Sequence, residues 1–311
     1  MENGNNSIVF FGTSEICIPF IDSLKSKFDI KLIITQPDSF GGRKKKLIEP
    51  SVKKYALSNN INYIQPEKLN GSVADIIKEI DPDISVVISY GKFIPKKIFN
   101  IPKYKTVNVH FSILPKLRGA APYQRAIESG LKNTGITIFE ICKEMDAGDI
   151  WATKEYNIFT DDTSTTLADR MAENGASFLA STLKKIINQT IEKKPQDHSL
   201  ASFAKIITKS EGRVNWDINA KELYDKFRAF QPWPGIFFYS IGEKISIKEM
   251  KISNRKSNDP AGNVLSLTKD ALIVSCGGDD CIEITEILPQ GKKEMTPYIF
   301  SLGNKISEKL D

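Results

Sequence analysis

The first half of the chain alternates continuous apolar runs with helical stretches, and this pattern limits the possible folds more than any other feature. The apolar runs, rich in Val, Ile and Phe, lie at 7–11, 29–35, 83–90, 106–109 and 135–141. Helical stretches lie at 52–58, 73–80 and 123–129. Apolar runs without alternation are typical of strands buried on both faces, as in parallel sheets covered by helices. The sequence therefore predicts an α/β domain with a Rossmann-like, doubly wound parallel sheet.

A second region follows a long helix and a polar segment. Thr163 and Ser164 can cap a helix that runs to about Ile187. The stretch 188–202 is polar and rich in lysine, and it contains Pro195 and His198, of which we expect the histidine to be solvated. Beyond it come an amphipathic helix at 220–230 and short β-like runs at 237–241, 244–252, 263–267, 271–276 and 282–288. We therefore expect an α/β domain at 1–188, a linker at 189–208 and a smaller, OB-like C-terminal β-barrel at 209–311.

Composition indicates a globular protein of the reducing cell interior. Of the 311 residues, 41% are apolar and 26% are charged, a balance that can bury a core. The start has no apolar signal region, and no apolar run approaches the ~20 residues that span a bilayer. We therefore expect a cytoplasmic protein without membrane contact. The four cysteines do not form a secreted disulfide framework, and Cys276 and Cys281 lack a second Cys/His pair, so no metal is expected.

A short basic segment stands out against a net charge of only +5. Between positions 43 and 54 a single carboxylate, Glu49, accompanies six cations: Arg43, Lys44, Lys45, Lys46, Lys53 and Lys54. Such a patch suits a polyanion such as nucleic acid. A solvated loop is the alternative for a basic run of this length, and the pattern alone leaves both open.

Three polar residues suited to acyl transfer stand at the end of one predicted strand and in a later loop. Asn108 and His110 are two residues apart, so both point to the same face of an extended strand. An amide can donate to a developing oxyanion, an imidazole moves protons near neutral pH, and a carboxylate such as Asp146 can orient or charge that imidazole. These residues predict acyl transfer to an amine. A dinucleotide cofactor is not expected, because Gly12 lacks the other glycines of a G-x-G-x-x-G fingerprint.

Several short motifs occur in an order and spacing shared with a known family. They are Phe11-Gly12-Thr13, Thr35-Gln36-Pro37-Asp38 before the basic segment, Asn108-x-His110-x-Ser112-Ile113-Leu114-Pro115, Arg118-Gly119-Ala120-Ala121-Pro122, Thr134-Gly135-Ile136-Thr137, Met145-Asp146-Ala147-Gly148-Asp149, Arg228-Ala229-Phe230-x-Pro232-Trp233-Pro234-Gly235 and Gln290-Gly291-Lys292-Lys293. Together they resemble the formyltransferase superfamily that uses 10-formyltetrahydrofolate, and within it the methionyl-tRNA branch. Phe111 departs from the family pattern, in which a small residue usually follows the histidine.

The resemblance implies an enzyme that transfers the formyl group of 10-formyltetrahydrofolate to the α-amino group of methionine on initiator tRNA. It implies that Asn108, His110 and Asp146 catalyse the transfer and that no metal takes part. The folate co-substrate is then expected to contact Ser112, Ile113, Leu114, Pro115, Tyr90 and Gly91. The tRNA is expected to contact Arg43, Lys44, Lys45 and Lys46, whose loop enters the acceptor arm in this family, and Lys292 and Lys293 in the barrel. A monomer is expected.

Two other functions fit parts of the pattern. A sugar-nucleotide formyltransferase would share Asn108, His110 and Asp146 but would not need a lysine-rich loop. A non-catalytic RNA-binding protein built on a degenerate transferase fold would not need those three residues. Formyl transfer measured with and without tRNA separates the three functions.

Overall fold

The computed structural model describes residues 6–41 and 46–311, and the chain forms two compact units. The first unit comprises the chain up to Pro122 together with Asn133–Asn157 and Leu167–Lys205. The second comprises Tyr123–Lys132, Ile158–Thr166 and Ile206–Asp311. Most of the segment that the sequence assigns to a linker is thus counted with the first unit.

Every predicted strand and helix is present, and further elements, among them the helix Ile18–Lys25 and the strand Ile150–Asn157, were not predicted. The strands are β1 (Ser7–Gly12), β2 (Asp29–Ile34), β3 (Ser39–Gly41), β4 (Lys46–Ile48), β5 (Tyr63–Ile64), β6 (Ile84–Ile88), β7 (Thr106–His110), β8 (Arg118–Gly119), β9 (Asn133–Glu140), β10 (Ile150–Asn157), β11 (Phe203–Ala204), β12 (Ile236–Ser240), β13 (Glu243–Ile252), β14 (Val264–Leu267), β15 (Leu272–Ser275) and β16 (Cys281–Pro289). The α-helices are α1 (Ile18–Lys25), α2 (Ser51–Ser58), α3 (Gly71–Ile80), α4 (Lys96–Phe99), α5 (Pro122–Glu128), α6 (Ser164–Ile187), α7 (Ala220–Ala229) and α8 (Pro297–Ser301).

The first unit is built on a sheet whose strand order, within the described residues, is β10-β9-β7-β6-β1-β2-β5. The five strands from β7 to β5 run parallel, which confirms the Rossmann-like α/β class. β9 is antiparallel to β7, and β10 is antiparallel to β9. The apolar run of β9 predicts its burial but not its direction, because a strand buried on both faces reads alike in either orientation.

Helices bury one side of this sheet with residues at helical spacing. α3 begins after Asn70, whose side chain accepts a hydrogen bond from the Val73 N–H. It buries Val73, Ala74 and Ile77 in a cluster with residues of β1, β2 and β6. Burial of this apolar surface holds the carboxyl ends of the parallel strands in place, at the edge where ligands bind in such folds.

The second unit contains a curled antiparallel sheet of order β12-β13-β16-β15-β14. Its two edge strands are bridged by the end of the chain. The Val264 N–H in β14 donates to the Glu308 carbonyl, while Tyr239 in β12 exchanges two backbone hydrogen bonds with Asp311. The C-terminal segment thus covers both open edges, and the expected small barrel is confirmed as a half-barrel completed by irregular chain.

Membrane-spanning helices and metal-binding clusters are both absent from the described ranges. Over 6–41 and 46–311, no helix combines the length and apolarity needed to cross a bilayer. The same residues contain no group of three or more His, Cys, Asp or Glu side chains placed to hold a metal ion. Cys276 and Cys281 are buried free thiols, and burial raises the pKa of Cys276 to about 12. These two residues therefore pack as apolar side chains.

Candidate active site

Asn108 and His110 occupy alternate positions at the carboxyl end of β7. Asn108 lies opposite Phe139 of β9, and His110 lies opposite Thr137. The side chain of His110 is buried, whereas Asn108 is partly exposed. No hydrogen bond to the Asn108 carboxamide is found among the described residues. The strand therefore presents one free amide and one buried imidazole on the same face.

The imidazole of His110 is fixed by a backbone carbonyl. Its Nε2 lies 2.8 Å from the carbonyl oxygen of Leu117. Because a carbonyl can only accept, Nε2 carries the proton in the neutral ring, and Nδ1 is left with its lone pair. Nδ1 lies 3.7 Å from Oδ2 of Asp146, which is too long for a hydrogen bond but close for opposite charges. The geometry assigns proton uptake to Nδ1.

Asp146 is presented by a tight turn whose shape needs glycine. Its φ of +52° is left-handed, a conformation that costs a non-glycine residue about 1–2 kcal/mol. Its Oδ2 accepts a hydrogen bond of 2.8 Å from the Gly119 N–H. At Gly148, a Cβ would lie only 1.8 Å from the carbonyl oxygen of Glu140, so no larger residue fits. Of the motif around Asp146, Gly148 is therefore needed for the turn that places the carboxylate near His110.

Three residues that the sequence did not single out as site residues, Gln196, Arg118 and His198, support this arrangement. Gln196 is buried and bonds to the carbonyl oxygens of Asp146 and Gly148 and to the guanidinium of Arg118. His198 is exposed, as expected, and in addition its Nδ1 lies 3.0 Å from the same guanidinium. Sequence carried no signal for these contacts, because Gln196 lies 50 residues from Asp146 and 78 from Arg118.

The predicted folate residues that follow His110 form a loop attached to β9. Thr137 Oγ1 donates to the Ser112 carbonyl and accepts from the Leu114 N–H. Ser112 and Leu114 are buried, whereas Ile113 and Pro115 are partly exposed. A ligand in this region would therefore meet the side chains of Ile113 and Pro115.

The second predicted folate wall has a buried and an exposed part. The ring of Tyr90 is 2% exposed and packs edge-on against Phe11. Its hydroxyl has no hydrogen-bond partner in the described part of the chain, and burial raises the Tyr90 pKa to about 12, so it stays a donor. Gly91 is exposed in a left-handed turn. Phe111 packs edge-on against Phe20 of α1.

The basic residues differ in how far their charges are already neutralised. Arg43, Lys44 and Lys45 lie outside the described residues, while Lys46 is exposed at the start of β4. Lys53 does not belong to the free basic patch that the sequence suggested. It pairs with Asp38 at 2.6 Å and with Glu49 at 2.8 Å.

The two predicted lysines of the second unit also differ. Lys292 Nζ donates to Asn304 Oδ1 at 2.8 Å and lies 4.6 Å from the centroid of the Phe300 ring. Lys293 is exposed and has no ion pair within the described ranges. Lys293 is therefore the freer of the two for an external phosphate.

Comparison with known proteins identifies the family. Residues 5–183 match the formyl transferase domain, and residues 206–305 match the formyl transferase C-terminal domain. The chain belongs to the formyl transferase family. This enzyme is 41% identical to the methionyl-tRNA formyltransferase of Sulfurihydrogenibium sp., over 96% of this chain and 97% of the relative. It is 39% identical to the one from Caldicellulosiruptor saccharolyticus, over 97% and 98%.

Solved structures share the fold of this formyl transferase at low sequence identity. An N-formyltransferase from Helicobacter canadensis, in complex with folinic acid and dTDP-3-aminofucose, has a TM-score of 0.69 at 18% identity, over 90% of this chain and 99% of that one. The methionyl-tRNA formyltransferase from Clostridium thermocellum has a TM-score of 0.56 at 18% identity, over 90% and 98%. Since one fold serves both a sugar nucleotide and a tRNA, the fold alone does not choose the acceptor.

Proposed function

We propose that this formyl transferase moves the formyl group of 10-formyltetrahydrofolate to the α-amino group of methionine on initiator tRNA. The observation that carries the proposal is the free carboxamide of Asn108, on the same face of β7 as the buried His110. An uncommitted donor beside a proton-transferring imidazole is what acyl transfer needs. Methionyl-tRNA is favoured as the acceptor because the relatives at 39% and 41% identity bear that name.

Asn108 acts on the charge that develops during the transfer. The lone pair of the methionyl amine forms the new C–N bond, and the formyl C=O pair moves onto oxygen, where the Asn108 amide donates a hydrogen bond. Return of that pair breaks the bond to the folate nitrogen, which receives the proton that His110 has taken from the amine. Because no described protein group competes for the amide, Asn108 need not break an existing bond to do this.

His110 takes the proton that the amine loses. The Nε2–H is held by Leu117, so the proton arrives at Nδ1 and the ring becomes positively charged. The Asp146 carboxylate, 3.7 Å away, stabilises that charge and is itself held by the Gly119 N–H. His110 and Asp146 thus act as one proton-accepting pair.

The contacts with the folate and the tRNA are part of the same proposal. Ile113 and Pro115 would pack against the folate, while the exposed backbone at Gly91 offers polar contacts and the buried ring of Tyr90 supports that wall from behind. Lys46 and its neighbours Arg43, Lys44 and Lys45 would bind acceptor-arm phosphates, with Lys293 and more weakly Lys292 adding contacts from the second unit. We further infer a monomeric, cytoplasmic enzyme, divided into a catalytic domain at 1–188, a linker at 189–208 and a tRNA-binding domain at 209–311.

The decisive experiment is a formyl-transfer assay with three acceptors. The wild-type protein and its His110→Ala variant are incubated with 10-formyltetrahydrofolate and methionyl-initiator tRNA, methionyl-elongator tRNA or a dTDP-aminosugar. We expect rapid formylation of methionyl-initiator tRNA by the wild type, little of the other two, and a large loss of turnover in the variant.

Two outcomes would overturn the proposal. Preferential formylation of the aminosugar would make the protein a sugar N-formyltransferase. Binding of tRNA without any formyl transfer would make it an RNA-binding protein on a transferase fold.

A further inference from the structure

The segment between the two family domains is bonded along much of its length to the loops of the active site. We call residues 194–204 the bridging segment. Lys194 pairs with Ile150 through two backbone hydrogen bonds at the end of the Asp146 turn. Further along, the Ser202 and Ala204 carbonyls accept from the N–H groups of Arg118 and Ala120. The bridging segment therefore joins the turn that carries Asp146 to the loop at 117–120. In that loop, the Leu117 carbonyl holds His110 and the Gly119 N–H holds the Asp146 carboxylate.

Gln196 is the point where this segment reaches the backbone of the turn that carries the Asp146 carboxylate. Its Nε2 donates to the carbonyl oxygens of Asp146 (2.9 Å) and Gly148 (2.7 Å). Its Oε1 accepts from Nε (3.2 Å) and from a terminal nitrogen (2.6 Å) of the Arg118 guanidinium. A glutamine amide has two donor hydrogens and two acceptor lone pairs, and all four are used here. Both Gln196 and Arg118 are only 6% exposed.

The chemistry of the site explains why an amide is needed at this position. A carboxylate could accept from Arg118 but could not donate to the two carbonyls, and an ammonium could donate but could not accept. Loss of these bonds would free the left-handed backbone at Asp146, where φ is +52°. The carboxylate would then move relative to Nδ1 of His110, a contact that at 3.7 Å is held by charge and placement alone.

We propose that Gln196 is a positioning residue of the transferase, which sets the Asp146 carboxylate against His110 from outside the matched catalytic domain. The inference rests on the proposed formyl transfer by the His110–Asp146 pair. It lies beyond the family match, because residues 184–205 fall between the two matched domains. It also gives the bridging segment, which lies within the connecting stretch 189–208, a part in catalysis.

The test compares Gln196→Leu with Gln189→Leu. Gln189 is exposed, and its side chain has no hydrogen bond in the part of the chain that the structure describes, so the control makes the same chemical change without the contacts. We expect Gln196→Leu to lower kcat about 10–100-fold, as loss of a residue behind a reactive group does, with KM for both substrates changed by less than about 3-fold. Gln189→Leu should match the wild type. Unchanged kcat in Gln196→Leu would overturn the proposal.

A double-mutant cycle separates positioning from general damage. If Gln196 acts through Asp146, Gln196→Leu should cost less than about 3-fold in single-turnover rate when made in an Asp146→Asn background. An equal loss in both backgrounds would contradict the proposal. If Gln196→Leu does not fold, Gln196→Glu, which keeps the size and the acceptor but lacks both donors, takes its place.

An independent readout uses the imidazole signals, because His110 and His198 are the only histidines. In ¹⁵N-histidine spectra, the wild type should show His110 with its proton on Nε2, and Gln196→Leu should shift this signal while Gln189→Leu does not. An unmoved signal contradicts the positioning role. This readout needs no turnover, so a wild type without formyl transfer would overturn the proposed function while Gln196 is still tested.

Discussion

Two clusters of polar residues differ in how closely their charged groups are paired with one another. In the second unit, Arg228 pairs with Asp225 at 2.6 Å and donates to the carbonyls of Asp162 and Phe159. Lys221 binds the other oxygen of Asp225. Asp225 is paired with both cations, and both terminal nitrogens of the guanidinium are bonded, while the buried Nε of Arg228 has no partner among the described residues. Such a cluster can hold a fold together but has little left to offer a ligand.

The site in the first unit is built in the opposite way. Its support, from Gln196 and Gly119, is fully bonded, but the reactive atoms are not. Asn108 has a free carboxamide in the described chain, and His110 and Asp146 stand at 3.7 Å rather than in a hydrogen bond. Internally paired charges suit a stabilising role, whereas unpaired polar groups suit contact with a substrate, and we expect the two clusters to divide these roles.

The largest expected effect is a loss of stability when the cluster of Arg228, Asp225 and Lys221 is disrupted. Arg228→Leu leaves the buried Asp225 with Lys221 alone, and we expect the free energy of unfolding to fall by about 3–5 kcal/mol in urea titrations. Replacing Asp225 as well should restore part of that loss, since no buried charge then remains unpaired. Turnover per folded molecule should change little. A tenfold fall in kcat of folded Arg228→Leu would break the distinction between the clusters.

At the candidate active site of Asn108, His110 and Asp146, we expect a loss of turnover without a loss of stability. Asn108→Ala removes a donor without a protein partner, so kcat should fall about 10²–10³-fold while the free energy of unfolding stays within about 0.5 kcal/mol. Steady-state kinetics and thermal unfolding of the same sample measure both quantities. The tRNA affinity should change far less than kcat. Turnover close to the wild type would remove Asn108 from the mechanism.

The positions of Asn108 and His110 could be predicted from the sequence better than the residues that support them. Asn108 and His110 share one strand, and their two-residue spacing fixes their common face without knowledge of the rest. The Rossmann-like class followed from strand burial for the same local reason. The supporting position of Gln196 could not be predicted, because it depends on hydrogen bonds to residues 48 to 78 positions away in the sequence. The antiparallel direction of β9 is likewise set by its partner β7 and not by its own residues.

The lysines of the basic segment also differ in whether they are paired with a carboxylate. Lys44, Lys45 and Lys46 are proposed to bind phosphates, and Lys46 is exposed without an ion pair in the described chain. Replacing all three by alanine should weaken binding of every tRNA and reduce the slope of log K against log salt by about 2–3. Filter binding across a salt series measures the slope. An unchanged slope would show that this segment does not touch RNA.

Lys53 belongs to the same basic segment, but its charge is already paired. It pairs with Asp38 and Glu49 on either side of the β3–β4 hairpin, and hydrogen bonds from Gln65 and Lys53 hold the pKa of Asp38 below its usual range. Lys53→Met should raise that pKa, leave two carboxylates near the hairpin, and weaken tRNA binding about 3–10-fold. The salt slope should stay that of the wild type, because no phosphate contact is lost. A slope reduced by one would place Lys53 on the RNA.

The smallest effect is expected from a matched pair of neighbouring lysines in the second unit. Lys293 is exposed and unpaired in the described ranges, whereas Lys292 is held by Asn304, Phe300 and a 3.7 Å pair with Glu243. Lys293→Ala should reduce the salt slope by at most about one, with a few-fold loss of affinity. Lys292→Ala should leave the slope unchanged and lower stability by about 0.5–1 kcal/mol through its lost surface contacts. The reverse pattern would show that an internal partner does not prevent a lysine of this protein from binding phosphate, and exposure alone would then be the better guide to its RNA surface.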